Sequence, residues 1–209
     1  MMKASSIQER ISKRIRKSPA GEAFVMADFL DLGGDAAIRK ALCRLEAEGL
    51  IRRVLRGVYD RPARNEFLGE AIEPDPIRVA LAIARSAGWS VVPSGDAALN
   101  LLGLSAQVPS VWRFASDGPY REYRYGNVTI QFVHSANRNI SGLSPKTSLV
   151  IQAIKAIGKD KISQKVRDEL RNVLSEQERS RMLSETTHST SWVYHVIEDI
   201  CRGTNETPR

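Results

Sequence analysis

Residues 24–59 read FVMADFLDLGGDAAIRKALCRLEAEGLIRRVLRGVY and predict the architecture of the first third of the chain. A short apolar run opens this segment and predicts a small strand, and the mixed polar and apolar residues after it predict a short helix. Gly33 and Gly34 end that helix. Asp35 has the short carboxylate side chain of a helix N-cap, so we predict a second helix over residues 36–48.

The predicted helix 36–48 is amphipathic. Its apolar residues recur at the spacing i, i+3, i+4 and i+7, namely Ile38, Ala41, Leu42 and Leu45. Arg39 and Lys40 point away from this apolar face, and Arg44 flanks it. Gly49 suits a left-handed C-terminal cap. We therefore expect a helix that buries one face and presents cations on the other.

A basic hairpin is predicted after this helix. Residues 50–59 place β-branched and apolar side chains around Gly57, which predicts two short strands joined by a tight turn. The hairpin carries Arg52, Arg53 and Arg56. A short helix, a glycine turn, an amphipathic helix and a basic hairpin together have the order of a winged helix-turn-helix domain.

This arrangement predicts how the segment would bind DNA. A helix is about as wide as the major groove, so Arg39 and Lys40 can reach base edges, while the hairpin arginines can neutralise phosphates. Arg44 is included, although an ion pair with Glu48 at i+4 is equally natural for it. The alternative is a winged helix that contacts protein and leaves its arginines solvated. The predicted DNA-facing set is Arg39, Lys40, Arg44, Arg52, Arg53 and Arg56.

The charge of the chain is concentrated at its start. The formal net charge is +7, and residues 1–64 hold 14 Lys and Arg against 8 Asp and Glu, whereas residues 65–209 hold 17 against 16. This asymmetry predicts an N-terminal module that faces a polyanion. The alternative is a chance excess of cations on a solvated surface.

The order of the elements predicts an α+β protein of two domains. Residues 1–64 form the predicted winged helix-turn-helix, residues 65–76 a proline-containing linker, and residues 77–209 a second α+β domain. Gly126-Asn127 between two β-type runs predicts a hairpin, so we expect a small antiparallel sheet here. The remainder is predicted to be helical, over about 146–157, 163–173, 175–184 and 190–202.

The sequence lacks an obvious catalytic, metal or cofactor site. Its three histidines, His134, His188 and His195, do not have the spacing of metal ligands. We therefore expect no enzymatic activity, no metal and no cofactor. An alternative hypothesis is a nucleic-acid-processing enzyme with its active site in residues 77–209, for which mutation of His134 or Asp168 would be diagnostic.

Three tyrosines and two arginines cluster before and within the predicted hairpin. This mixture of aromatic and basic residues is typical of single-stranded RNA binding, but ordinary cross-strand tyrosines are the favoured interpretation. The cluster consists of Tyr120, Arg121, Tyr123, Arg124 and Tyr125.

The composition is that of a globular protein, with 42% hydrophobic and 26% charged residues. No apolar run approaches the roughly 20 residues of a membrane span, and the N-terminus lacks the apolar core of a signal peptide. We expect a cytoplasmic protein that has no membrane partner. Cys43 and Cys201 are then expected to be free thiols, with a disulfide between them as the alternative.

The first segment resembles a known family. The stretch AAIRKALCRL at 36–45, followed by Gly49, by RRV at 52–54 and by RGVY at 56–59, is similar to the N-terminal winged helix of AbiEi-type antitoxins. These belong to bacterial abortive-infection, type IV toxin–antitoxin systems. Weaker similarity continues in PSGDAAL at 93–99 and in SPKTSL, where Lys146 departs from the acidic residue that the family often has.

The resemblance implies an antitoxin encoded beside a nucleotidyltransferase-like toxin. Its N-terminal domain would bind inverted repeats in its own promoter and repress the operon, and its C-terminal domain would counter the toxin, with or without direct contact. The alternative is an ordinary winged-helix transcriptional regulator whose second domain senses a ligand or dimerises. The neighbouring gene distinguishes the two. A dimer, or two monomers on an inverted repeat, would fit such an operator.

Overall fold

The computed structural model describes residues 6–67, 69–136 and 140–203. It is a mixed α and β structure with small sheets, and it divides into two compact units, the first ending at Trp89 and the second beginning at Ser90. Within the described ranges, no helix has the length and apolar character needed to cross a bilayer.

In its described residues, the first unit contains four helices and a three-stranded antiparallel sheet of order β1-β3-β2. One of the helices is a 3-10 helix, Met26–Leu32. The core of the unit is formed by Ile11 and Ile15 of the first helix, by Phe29, and by the apolar face of the second α-helix. The other elements are α1 (Ile7–Lys17), β1 (Ala23–Val25), α2 (Asp35–Ala47), β2 (Arg52–Leu55), β3 (Val58–Asp60) and α3 (Pro76–Ala87).

Helix α2 confirms the predicted amphipathic helix, but its start differs from the prediction. Gly34 is the N-cap and Asp35 is already helical, so the prediction that Asp35 caps the helix was wrong. The Asp35 carboxylate instead lies in the first turn, where the helix dipole stabilises a negative charge. It is 3.9 Å from the guanidinium of Arg39, one turn further along.

Helix α3 belongs to the first unit, so the boundary falls later than the linker that was predicted over 65–76. Pro76 belongs to the predicted linker, but it starts this helix instead. It stands in the first turn, and Asp75 is the N-cap. Arg85 of α3 donates to the Asp28 carboxylate at 3.0 Å and to the Ala23 carbonyl at 2.9 Å. These contacts fix α3 against β1 and the 3-10 helix.

The second unit combines a four-stranded sheet of order β4-β5-β7-β6 with helices. The predicted helical C-terminal part is confirmed, and Val193, Val196, Ile197 and Ile200 of its last helix lie in the core. The elements are β4 (Val91–Ser94), α4 (Asp96–Leu101), β5 (Val111–Ser116), β6 (Arg121–Tyr125), β7 (Val128–His134), α5 (Pro145–Ile157), a 3-10 turn (Lys159–Lys161), α6 (Gln164–Asn172), α7 (Glu176–Glu185) and α8 (Ser191–Arg202).

The sheet of the second unit is mixed, whereas the sequence predicted an antiparallel one. The hairpin at Gly126-Asn127 forms, but β7 inserts between β5 and β6 and pairs in parallel with β5. Burial explains this order. Phe114 of β5 and Phe132 of β7 are adjacent and fully buried, while the polar strand β6 takes the exposed edge.

A carboxylate at the end of α7 caps the start of α5. Glu185 accepts hydrogen bonds from the Ser144 backbone N–H at 3.0 Å and from the Ser144 hydroxyl at 2.9 Å. Burial alone would raise the pKa of Glu185, but the hydrogen bonds from Thr147 and Ser144 outweigh it, so its pKa lies below the ordinary value. The ionised form of Glu185 is therefore stabilised in the folded state.

We predict that Glu185→Gln lowers the free energy of unfolding at pH 7 by about 1 kcal/mol, because the start of α5 loses a charged acceptor. Since the folded pKa is lowered, this contribution is present above the ordinary glutamate pKa and is lost as the pH falls through the lowered value. Chemical denaturation at neutral and acidic pH measures both effects. Glu176→Gln, at the exposed start of α7, is the control, and equal losses in both variants would contradict the role of Glu185.

Candidate nucleic-acid interface

The exposed face of α2 carries three cations. Its other face is buried through Ile38 and Leu42, which are at most 1% exposed, so the residues opposite them face solvent. Arg39, Lys40 and Arg44 are all exposed, as the sequence predicted. The side chain of Arg39 is 69% exposed and makes only a loose contact with Asp35.

The hairpin β2–β3 lies beside this face. Its turn is tight because Gly57 adopts φ +80°, a conformation that other residues rarely adopt. The turn places the exposed Arg56 at the tip. The strands pair Arg53 with Tyr59 and Arg52 with Asp60.

A groove of about 450 Å³ runs between α2 and the hairpin. We call it the hairpin-side groove. Leu42 and Tyr59 contribute apolar surface to it, and Arg39, Arg53 and Arg56 line it. Three of the six predicted DNA-facing residues therefore share one concave surface, although they come from a helix, a strand and a turn.

A second groove, of about 230 Å³, runs along the other side of α2, where the start of α1 packs against it. We call it the α1-side groove. Lys40 and Arg44 line it together with Gln8. Helix α1 can approach closely because Gly33 lacks a side chain: a Cβ atom there would lie 2.6 Å from Cδ1 of Ile7. The exposed face of α2 thus lies between two grooves that both carry cations.

The cations differ in how far the protein already neutralises them. Lys40 and Arg56 have no hydrogen-bond or ion-pair partner within the described part of the chain, so their charge is available to a ligand. Arg53 is engaged: its guanidinium donates to Glu46 at 3.1 Å and to the Tyr59 hydroxyl at 3.3 Å, and it lies 5.5 Å from the Tyr59 ring centre. Tyr59 and then Glu46 raise the pKa of Arg53.

Arg52 is the exception among the predicted residues. Its guanidinium forms a bidentate pair with Asp60, at 3.0 and 2.7 Å, and also donates to the Ile72 carbonyl at 2.9 Å. Asp60 is only 1% exposed. Arg52 lines neither groove within the described residues, so its contacts indicate a structural role, and its contact with phosphate stays a prediction.

Three residues that contribute to these surfaces were missed by the sequence analysis. Glu46 and Tyr59 hold Arg53, and Gln8 contacts both Arg44 and Glu48. All of these contacts join different elements of the unit. Amphipathic spacing predicts which face of a helix is exposed but not which neighbouring element touches it, so no local signal would have found Gln8.

The described residues that were considered for catalysis, His134 and Asp168, do not belong to a cluster of metal-ligating side chains. No group of three or more His, Cys, Asp or Glu residues that could hold a metal occurs among the described residues. The Nδ1 atom of His134 lies 3.1 Å from the Gly118 carbonyl oxygen, and Asp168 accepts from Gln164 at 3.0 Å on α6. Both side chains thus have ordinary structural partners.

The tyrosine cluster has the geometry of ordinary cross-strand tyrosines, which is the interpretation that the sequence favours. Tyr125 is buried, and Tyr123 packs edge-on against Phe132, with ring centres 5.9 Å apart. Only Tyr120, with 59% exposure, is largely exposed. Two of the three rings are therefore used for cross-strand packing.

The chain belongs to DUF6088, a family of unknown function, whose model matches residues 10–182. This match spans most of the first structural unit and the second unit as far as residue 182. A comparison with curated proteins gave no match.

We predict that Arg52→Ala lowers the free energy of unfolding by about 3 kcal/mol, because it leaves the buried Asp60 carboxylate without its counter-charge. Thermal and chemical denaturation measure the loss. Arg56→Ala, on the exposed turn of the same hairpin, is the matched control and should change stability by less than about 0.5 kcal/mol.

A double-variant cycle tests the origin of this loss. If the pair is responsible, Asp60→Ala should cost much less in the Arg52→Ala background than in the wild type. Equal stabilities of Arg52→Ala and Arg56→Ala, together with weaker DNA binding by the former, would contradict the structural role and support the predicted contact of Arg52 with DNA.

Proposed function

We propose that the first unit is a winged helix-turn-helix domain that binds double-stranded DNA. In this proposal the 3-10 helix and α2 are the helix-turn-helix, α2 is the recognition helix, and the hairpin β2–β3 is the wing. The observation that carries the proposal is the hairpin-side groove, in which cations from α2 and from the hairpin line one surface. A recognition helix in the major groove with a wing on the adjacent backbone requires this juxtaposition.

The state of the cations supports a polyanionic partner. Lys40 and Arg56 have no partner in the described residues, and Arg39 and Arg44 are exposed. Unpaired like charges on one surface repel each other, so their accumulation is favourable only when an anion binds there. We assign Arg39 and Lys40 to base edges and Arg56 to a phosphate, with Arg44 and Arg53 at the margins of the interface.

We further propose that the protein is an antitoxin and autorepressor of a type IV toxin–antitoxin operon. The similarity of residues 36–59 to AbiEi-type antitoxins supports this half of the proposal. The first unit would bind inverted repeats in its own promoter, and the second would counter a nucleotidyltransferase-like toxin. Such a protein acts in the bacterial cytoplasm by stoichiometric binding and needs no catalytic centre, metal or cofactor.

We predict that Arg56→Ala weakens binding to all DNA sequences and reduces the slope of log K against log salt by about one unit, because one phosphate contact is lost. Arg39→Ala should instead cost about 1–3 kcal/mol on the protein's own upstream DNA and little on random DNA. Fluorescence anisotropy titrations at several salt concentrations, with both DNA duplexes, measure these effects.

Lys161→Ala, which removes an exposed cation from the second unit, is the control and should bind like the wild type. A wild-type protein without preference for its upstream DNA would overturn the repressor half of the proposal. Identical behaviour of Arg39→Ala and Arg56→Ala on both duplexes would show that the roles of helix and hairpin were assigned wrongly.

The antitoxin half of the proposal has its own test. If a nucleotidyltransferase-like reading frame lies beside the gene, its expression should arrest growth, and co-expression of this chain should relieve the arrest. We predict that Arg56→Ala relieves the arrest fully while promoter repression, measured with a reporter, is weakened, because the two activities belong to different units. An isolated gene, or relief that fails with the wild type, would favour the ordinary transcriptional regulator.

A further inference from the structure

Three side chains from α1 and α2 form a short hydrogen-bond chain at the α1-side groove. The Nε2 atom of Gln8 donates to the carboxylate of Glu48 at 2.6 Å. The Nη1 atom of Arg44 donates to the Oε1 atom of the same Gln8 amide at 3.4 Å. The Gln8 amide thus lies between the Arg44 cation and the Glu48 anion, which are four residues apart in the sequence.

Arg44 and Glu48 would pair directly if Gln8 were absent. Oppositely charged residues four apart on a helix are neighbours, so the Arg44 guanidinium can reach the Glu48 carboxylate. Such a pair would neutralise Arg44 and draw its guanidinium toward the C-terminal end of α2. The Gln8 amide is neutral, so it satisfies hydrogen bonds of both side chains without cancelling the charge of Arg44.

The position of Gln8 is fixed by the packing of α1. Ile7 packs against Gly33, which has no Cβ atom, and Arg10 donates to the Leu32 carbonyl at 3.2 Å. Ser6 caps the helix through the Glu9 N–H at 3.2 Å. The residues on both sides of Gln8 are therefore held in place, and its amide is directed at α2.

We infer that Gln8 is a positioning residue that keeps Arg44 available to DNA. This inference rests on the proposed function of the first unit. Gln8 donates a hydrogen bond to the Glu48 carboxylate, so this carboxylate does not pair with Arg44. Arg44 therefore lines the α1-side groove together with Lys40. Two cations four residues apart repel each other, and a DNA phosphate at this groove offsets that repulsion.

The experiment compares four variants with the wild type by anisotropy titration on the protein's own upstream DNA over a range of salt concentrations. Arg44→Ala should weaken binding by about tenfold and reduce the salt slope by about one unit, as expected for one lost phosphate contact. Gln8→Ala should weaken binding by about two- to fivefold, because Glu48 then competes with DNA for Arg44 with the strength of an exposed ion pair. Glu48→Gln alone should not weaken binding.

The decisive variant combines Gln8→Ala with Glu48→Gln. Without a carboxylate at position 48, Arg44 stays free even when Gln8 is missing, so affinity and salt slope should return to those of Glu48→Gln alone. If Gln8 contacted DNA itself or only supported the fold, the double variant would instead bind more weakly than Glu48→Gln. Thermal unfolding of all four variants confirms that each is folded at the assay temperature.

The outcomes separate the inference from the proposed function. A wild-type protein that shows no preference for its upstream DNA overturns both. If the wild type binds and Arg44→Ala is weakened, the inference is overturned by a Gln8→Ala variant that binds normally, or by a double variant that stays as weak as Gln8→Ala. If Arg44→Ala binds like the wild type, Arg44 makes no contact and the inference also falls.

Discussion

Asp60 lies in the central strand of the first sheet with only 1% of its surface exposed, and a carboxylate buried there requires a counter-charge. Arg52, directly opposite on β2, supplies it through two hydrogen bonds. A shift of β2 by one residue would turn Arg52 to the other face of the sheet and leave Asp60 unpaired. The pair therefore fixes the register of the hairpin, and the register determines that Arg53 and Arg56 lie beside α2. The cationic surface proposed for DNA depends on this one ion pair.

Much of the local structure could be predicted from the sequence, because it depends on neighbours a few residues apart. The buried stripe of α2, the turn at Gly57 and the four C-terminal helices follow from apolar spacing and from the conformational range of glycine. The exposure of Arg39 and Lys40 follows in turn from the burial of Ile38 and Leu42, since opposite faces of one helix cannot both be buried in a small unit. These parts of the candidate site required no knowledge of tertiary contacts.

The remaining features depend on contacts between elements that no local pattern encodes. The parallel pairing of β5 with β7 buries Phe114 against Phe132. Phe132 lies in the predicted hairpin, but Phe114 lies in the preceding strand, and the hairpin signal does not predict where that strand pairs. Arg52 has the same local surroundings as Arg53, yet one pairs with a buried aspartate and the other with Glu46 and Tyr59. Two arginines that are adjacent in the sequence thus have different partners, which their sequence neighbours do not predict.

The acidic residues of the first unit neutralise part of its positive charge. Six arginines of the unit pair with seven of the described acids: Glu22, Asp28, Asp31, Asp35, Glu46, Asp60 and Asp75. A neutral amide satisfies Glu48 instead of a cation. Each arginine in an ion pair neutralises one carboxylate. The positive electrostatic potential at the surface therefore comes from the cations that have no carboxylate partner. Lys40 and Arg56 are two of these, and they stand on opposite sides of the α2 face. A linear polyanion lying across α2 would meet both, whereas a small anion bound in either groove would meet only one.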